Sequence, residues 1–415
     1  MRRILVVGTG GVGAAIGMIA RHRGFFERMV LADVDGGRAV AAARNTQDDR
    51  FGHAQLDASD PDAIVALAQR EKADVIVNAC DPRLNPPIFE AARNAGVPYL
   101  DMAMTLSQPH PERPYELPGV MLGDDQFAAH DDWERAGLLA LVGMGVEPGM
   151  SDVFARHAAD DLFQTIDEVG VRDGADLAIS GHGFAPTFSI WTTIEECLNP
   201  PLIWERDKGF YTTAPFSQPE MFEFPGGIGK IECVNVEHEE VVLVPRWVGC
   251  NRVTFKYGLG EEFIGVLETL HKLGLDSTEP VDVRGATVAP RDMLAALLPD
   301  PATLGHAMEG RTCAGTLATG TGKDGNARAV YLHHIVDNAE TMAKDDSQAV
   351  VWQTALHPVI ALELLAENIW EGAGVLGPEA FPARPFLDAM ADYGSPHALD
   401  ERDPRNPLAA GRPGQ

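Results

Sequence analysis

The sequence predicts an α/β protein: a doubly wound parallel sheet followed by a second unit that is largely antiparallel. Three observations carry this reading. Aliphatic runs alternate with helical patterns over about the first 110 residues, a cluster of glycines directly follows the first of those runs, and from about residue 165 the rhythm changes to short alternating segments broken by glycines. With 415 residues the chain is long enough for two or three domains.

Each element follows from its residues. Ile4 to Val7 is a continuous aliphatic run, as in a parallel strand buried on both faces, and Ala14 to Arg23 follows as a helix. Met29 to Ala32 is the next strand, Gly37 to Arg44 a helix and His53 to Leu56 a short extended segment. Pro61 to Arg70 is a helix that Asp60 is placed to cap. Val75 to Ala79 is a strand, Pro87 to Asn94 a helix stopped by Gly96, and Pro98 to Met102 a strand. Residues 106 to 125, rich in proline and charge, form a surface excursion. Phe127 to Ala136 (helix), Leu138 to Val142 (strand) and Ser151 to Leu162 (helix, with Ser151 as cap) resume the pattern. Beyond them Glu232 to Val236, Val241 to Val244 and Arg252 to Lys256 read as strands, and 262 to 273 and 290 to 298 as helices. Cys313 to Thr319 and Ala329 to His334 flank the hairpin signal Asp324-Gly325. Gln348 to Trp370 is a long apolar helix, and the polar tail after about 395 is expected to be loose.

Composition narrows the function. The chain is 45% hydrophobic and carries 33 Lys and Arg against 61 Asp and Glu, a net charge of −28. That field repels phosphate polymers and anionic lipid, so no nucleic-acid or membrane partner is expected, and it attracts cationic small molecules. Five scattered cysteines form no CxxC pair, which argues against a zinc site or a disulfide framework and fits a reducing cytoplasm. Histidines 182, 238, 306, 333, 334 and 357 lack metal-ligand spacing, so no metal is predicted. The apolar run at the N-terminus is too short for a signal peptide, and no stretch reaches the length of a membrane span.

The strongest motif is Gly8-Thr9-Gly10-Gly11-Val12-Gly13. It follows a buried strand and opens a helix, the context in which such glycines bind a dinucleotide. Gly8 permits the tight turn, Gly10 the approach of a pyrophosphate and Gly13 the close packing of helix on strand, which makes the first unit Rossmann-type. Asp33, about 20 residues past the last glycine, is placed to accept from a ribose. That favours NAD, although Arg38 lies near enough to accommodate the extra phosphate of NADP. Asp57 is placed near the adenine, with a helix-preceding acid as the alternative. Ligands in open α/β sheets sit beyond the carboxyl ends of the strands. Asn78, Ala79, Cys80, Met144 and Gly145 are therefore candidate cofactor contacts, and Asp101 and Glu147 candidate proton-transfer groups. Cys80 lacks a paired histidine and reads as a small buried residue. His238, flanked by Glu237, Glu239 and Glu240, is the third proton-transfer candidate, because those charges raise its pKa. Arg172, Arg246, Arg252 and Arg311 are candidates for binding a substrate carboxylate.

The segments ILVVGTGGVG, VIVNACDP, VPYLDMA and GMGVEPGMSDVFARHAADDLF, together with MLAALLPDPATL, GRTCAGTLATGTGKDGNARAVYL and EAFPARPFLDAM, resemble the saccharopine dehydrogenase family over nearly the whole chain. The second half looks most like its carboxynorspermidine dehydrogenase branch, whereas LADVDGG is similar to the NAD-using lysine 6-dehydrogenases. The resemblance implies a Rossmann domain (1–162), an inserted mixed α/β catalytic and dimerisation domain (163–344), a helical return to the first domain (345–395) and a tail (396–415). It also implies a homodimer and hydride transfer between a nicotinamide and a carbon bonded to nitrogen. The leading expectation is a cytoplasmic enzyme forming or cleaving a secondary amine between an amino acid or polyamine and a carbonyl compound. Oxidative deamination of a terminal amine, and a nucleotide-binding protein without catalysis, are the alternatives.

Overall fold

The structure is a computed structural model and describes residues 2–410. Six strands, β1 (Arg3–Val7), β2 (Arg28–Asp33), β3 (Phe51–Gln55), β4 (Val75–Asn78), β5 (Tyr99–Asp101) and β6 (Leu139–Leu141), lie in the order β6-β5-β4-β1-β2-β3, and every pairing is parallel. Helices α1 (Gly11–Ala20), α2 (Gly36–Asn45), α3 (Pro61–Glu71) and α4 (Asn85–Ala95) connect them. Asp60 caps α3 by accepting from the Ala63 amide, and Gly96 ends α4 in the left-handed region. β6 is not the edge: strand Gly374–Leu376, more than two hundred residues later, pairs with it in parallel. Helix Ala349–Ala366, which precedes that strand, packs on α1. Among the described residues it is the one helix long and apolar enough to cross a membrane, and it spends that surface inside the fold, 83% buried.

The second unit is built on a nine-stranded sheet around β7 (Phe163–Ala175). Strand Arg311–Gly322 pairs with β7 antiparallel, and strand Cys250–Gly258 pairs with it in parallel. The sheet is therefore mixed, and largely antiparallel as expected: of its pairings only the one between Cys250–Gly258 and β7 is parallel. Arg311–Gly322 and Ala327–Asp337 form the hairpin signalled by Asp324-Gly325.

Several expectations change. Helix 127–136 is two short helices, α5 (Asp124–Ala128) and α6 (His130–Arg135). Helix α7 (Met150–His157) is capped from Gly149, whose amide donates to Asp152 Oδ2, so Ser151 is not the cap. Val241 to Val244 is a helix, within Glu240–Trp247, rather than a strand. Four consecutive aliphatic residues do not distinguish a buried helix from a buried strand. Strand Cys250–Gly258 is paired on both sides, so it offers no edge to a second copy. The tail is not loose, since Ala398–Arg402 adds a strand beside Ala327–Asp337. Residues 411–415 lie outside the described residues.

Candidate active site

The glycine turn has the shape a dinucleotide needs. Gly8 has φ +95°, and a Cβ there would lie 2.6 Å from the Ala79 carbonyl oxygen; one at Gly13 would lie 1.9 Å from the Gly8 oxygen. At Gly10 a Cβ would meet nothing within 4 Å, so this side of the turn is open. No side chain caps α1, leaving its first amides for an anion. Gly11 lies against Ala302 of the second unit. Val12 and Ala79 pack at the margin of the core. Thr9 donates its amide (2.8 Å) and hydroxyl (3.0 Å) to Asp33 Oδ2, and Asp33 Oδ1 accepts from the Asp35 amide at 2.9 Å. The Arg38 guanidinium stands 3.7 Å from the same carboxylate. Asp33 thus ties the glycine turn to the end of β2, and Asp33 and Arg38 present opposite charges at one place.

Other candidates are committed to the fold. The Asp57 carboxylate accepts from the Ser59 amide and hydroxyl, which holds it below the usual range and supports its reading as a turn acid before α3. Asn78 donates to Asn85 Oδ1 and the Tyr99 hydroxyl and accepts from the Cys80 amide. Burial pushes the Cys80 thiol up to about 12, which leaves no nucleophile at neutral pH. The amides of Met144 and Gly145 do not face outward: they donate to the carbonyls of Asp101 and Pro148. Asp101 is fully enclosed, accepting from the Gly143 amide and the Gln126 side chain at 2.7 Å each, and burial pushes its carboxyl up to about 7. It joins the loops after β5 and β6.

The chemistry gathers around His238. The turn before helix Glu240–Trp247 staples the second unit to the first at three points: Glu237 accepts from the Ser107 hydroxyl, Glu239 from the Met104 amide and Glu240 from the Ser151 hydroxyl. His238 stacks on Phe255, with ring centroids 3.8 Å apart, and its Nδ1 lies 2.6 Å from Glu240 Oε2 and 3.4 Å from Glu239. Burial opposes its charge, but Glu240, Glu239 and Glu196 override that and raise its pKa to about 10. Imidazolium is therefore the neutral-pH form.

Facing it, Glu147 in the loop after β6 and Asp173 on β7 lie within hydrogen-bonding reach of each other. Burial raises both carboxyls, Glu147 well above the usual range. Glu196, on helix Ile190–Leu198, is pushed up to about 8 by burial, with Glu239 and Glu240 adding to the shift and His238 opposing it. Tyr257 shares the inner face of the sheet with Asp173, its direct partner across the strands. Glu147, Glu196 and Tyr257 keep part of their surface open.

The four arginines are not in this site. Side chains alternate along a strand, so Arg172 and Arg252 point to the opposite face from Asp173 and Phe255. There Arg172 donates to Glu220 at 2.6 Å and lines a depression of about 540 Å³ together with Asp167 and Glu168; Arg252 lies 3.4 Å from Glu205. Arg311 pairs with Asp176, and Arg246 covers the Phe127 ring. The sequence reading missed Asp173, Glu196 and Tyr257. A signal existed for one of them: Val169, Val171 and Asp173 alternate as inward positions, and an acid falls where a third aliphatic residue belongs. The two units also meet through Arg83, after β4, which lies over the Trp191 ring and 3.3 Å from Asp292.

Comparison with known proteins places these features. The family model described as "Saccharopine dehydrogenase NADP binding domain" matches residues 4–141, and "Saccharopine dehydrogenase C-terminal domain" matches residues 145–395. The chain is 29% identical to a carboxynorspermidine synthase of Vibrio cholerae, covering 97% of this chain and 98% of that one. It is also 29% identical to a carboxyaminopropylagmatine dehydrogenase of Synechocystis, covering 95% and 97%. Among solved structures, the apo saccharopine dehydrogenase (L-Glu forming) of Saccharomyces cerevisiae has the same fold, with a TM-score of 0.69 at 14% identity over 97% of this chain and 100% of that one.

Proposed function

The chain belongs to the saccharopine dehydrogenase family, and from that premise we propose that it joins an amine of a diamine or polyamine to a carbonyl compound by nicotinamide-dependent reduction, or cleaves that bond in reverse. The observation that carries this reading is the set of carboxyls around His238 beyond the ends of β5 and β6: carboxyls that give up a held proton can take an ammonium group in its place. Names of relatives that refer to carboxylated polyamines support it over deamination of a free terminal amine.

The glycine turn, the uncapped start of α1 and Asp33 would hold the dinucleotide, which supplies or accepts the hydride. The proteinʼs own residues manage the protons. An amine must lose its proton to attack a carbonyl, and the nitrogen of the resulting imine must carry one to be reduced. His238 holds its proton up to about pH 10, close to the range of an alkylamine, so transfer between the two is nearly balanced. Asp101, closed in by Gly143 and Gln126, holds the loops in place. The assay follows nicotinamide absorbance. Reduced cofactor is expected to be consumed when an aldehyde-bearing amino acid and a diamine are present together, and by neither alone. Oxidation of free lysine by NAD would instead select deamination.

NAD is the preferred cofactor in this reading, because Asp33 meets the ribose hydroxyls and repels a 2′-phosphate. Asp33→Ser is expected to shift the ratio of Kd values toward NADP by about tenfold, or 1.4 kcal/mol. Wild-type protein that already binds NADP tenfold better would assign the site to Arg38. The protein is further read as a cytoplasmic homodimer on family grounds. Light scattering at micromolar concentration is expected to give twice the 44.7 kDa of one chain.

A further inference from the structure

Asp173 is buried, at 7% exposure, on the inner face of the second sheet, yet its Oδ1 accepts from no donor. Glu147 Oε2, in reach of it, is also without a donor. A buried carboxylate oxygen without a partner is costly, and two such groups side by side retain one proton between them. The groups facing the pair are Tyr257 from strand Cys250–Gly258, Glu196 from helix Ile190–Leu198 and Glu240 with His238 from the stapling turn. Tyr331 and Cys313 lie on the opposite face of the sheet, where Cys313 pairs with Gly174 and Tyr331 with Leu317. Among these groups His238 is the one cation, and its charge is already taken by Glu240 and Glu239.

We propose that Glu147 and Asp173 form the subsite for the remote ammonium of an α,ω-diamine, the nitrogen that does not react, and that its binding displaces the proton the two carboxyls share. The inference rests on the amine-joining reading above. The reacting nitrogen has to become neutral, so a site rich in carboxylate suits the nitrogen that stays charged. In the exchange, one carboxylic acid and one carboxylate become two carboxylates around one ammonium, and one proton passes to the buffer. Tyr257 and Glu196, both partly open, stand beside the pair.

The test is calorimetric titration of the protein saturated with oxidised cofactor, using 1,3-diaminopropane and propylamine in buffers of different ionisation enthalpy at pH 7. Wild-type protein is expected to release close to one proton with either amine, since both are ammonium ions at this pH. Asp173→Asn is expected to abolish that release and weaken both amines roughly 10- to 100-fold, the range for losing one charged hydrogen-bond partner, while affinity for oxidised cofactor stays within twofold. Glu147→Gln, made from the other side of the pair, supplies the same readout if the first variant is not folded. Unchanged proton release, or amine affinities within twofold of wild type, overturns the subsite. Diamine binding with proton release but no turnover with any aldehyde leaves the subsite standing and rejects the reaction. Turnover without proton release does the reverse.

Discussion

Replacing His238 by alanine or asparagine is expected to lower turnover roughly 10²- to 10⁴-fold, the usual cost of losing a positioned acid or base, while dinucleotide affinity stays within a few-fold. The two readouts separate because His238 sits on the stapling turn of the second unit, whereas the nucleotide features lie at Gly8 to Gly13 and Asp33 of the first. The variants also lose stability. Taking one partner from a buried charged pair leaves the other uncompensated, at a cost of about 3–5 kcal/mol, and Glu240 is that other partner. Asparagine fills part of the space on Phe255 and can donate to Glu240, so it is expected to melt higher than alanine while turning over no faster. Stopped-flow reduction and a fluorescence titration of reduced cofactor measure the two quantities. Near-normal rates in both variants from pH 6 to 9 would remove His238 from the proton-transfer role.

Thermal stability is expected to fall steadily as pH rises from 6.5 to 9. Asp101, Glu237 and Glu379 hold their protons up to about pH 7 in the folded protein, and Glu196 to about 8, in each case chiefly because of burial. Unfolded carboxyls release theirs near pH 4. The stability these four groups contribute is complete below that value and is lost as pH climbs through 7 to 8. For His238 the contribution is complete below pH 6.5 and lost on the way to about 10. The two losses overlap between 6.5 and 8, and each proton held by the fold alone is worth roughly 1.4 kcal/mol per pH unit. His334, lowered to about 3 by burial, and His357, also lowered by burial, act in the opposite sense. Their contribution is lost only as pH falls below 6.5, outside this window. Differential scanning calorimetry in matched ionic strength measures the slope. A flat profile would mean that water reaches the carboxyls freely.

The first unit was legible in the sequence because its signals are local. Ile4 to Val7, Gly8 to Gly13, Asp60 before Pro61 and Gly96 after α4 each fix a piece of geometry within a few residues, and the structure reproduces them. The stretch Val241 to Val244 was not, since its helix is decided by what surrounds it. The acid site was half legible. His238 and its flanking glutamates are adjacent in the chain, and their effect on the imidazole follows from that adjacency. Glu147, Asp173 and Glu196 come from three separate elements, and the folding of the second sheet onto the first brings them together. The arginines failed for a related reason. Arg172 precedes Asp173 by one residue, and one residue along a strand is the difference between its two faces.

The placement of Gly374–Leu376 beside β6 bears on how the protein is made. A ribosome that has delivered β1 to β6 has produced a nucleotide-binding sheet with one raw border. That border stays uncovered while the whole second unit is synthesised. An uncovered strand border recruits other chains, and domains that emerge incomplete are the ones exposed to misassembly. Helix Ala349–Ala366, which covers α1, arrives equally late. Neither half of the molecule is therefore a finished object before about residue 376, and the protein matures as one piece at the end of translation. A stop codon shortly before residue 374 would leave β6 without its neighbour as well as shortening the second unit.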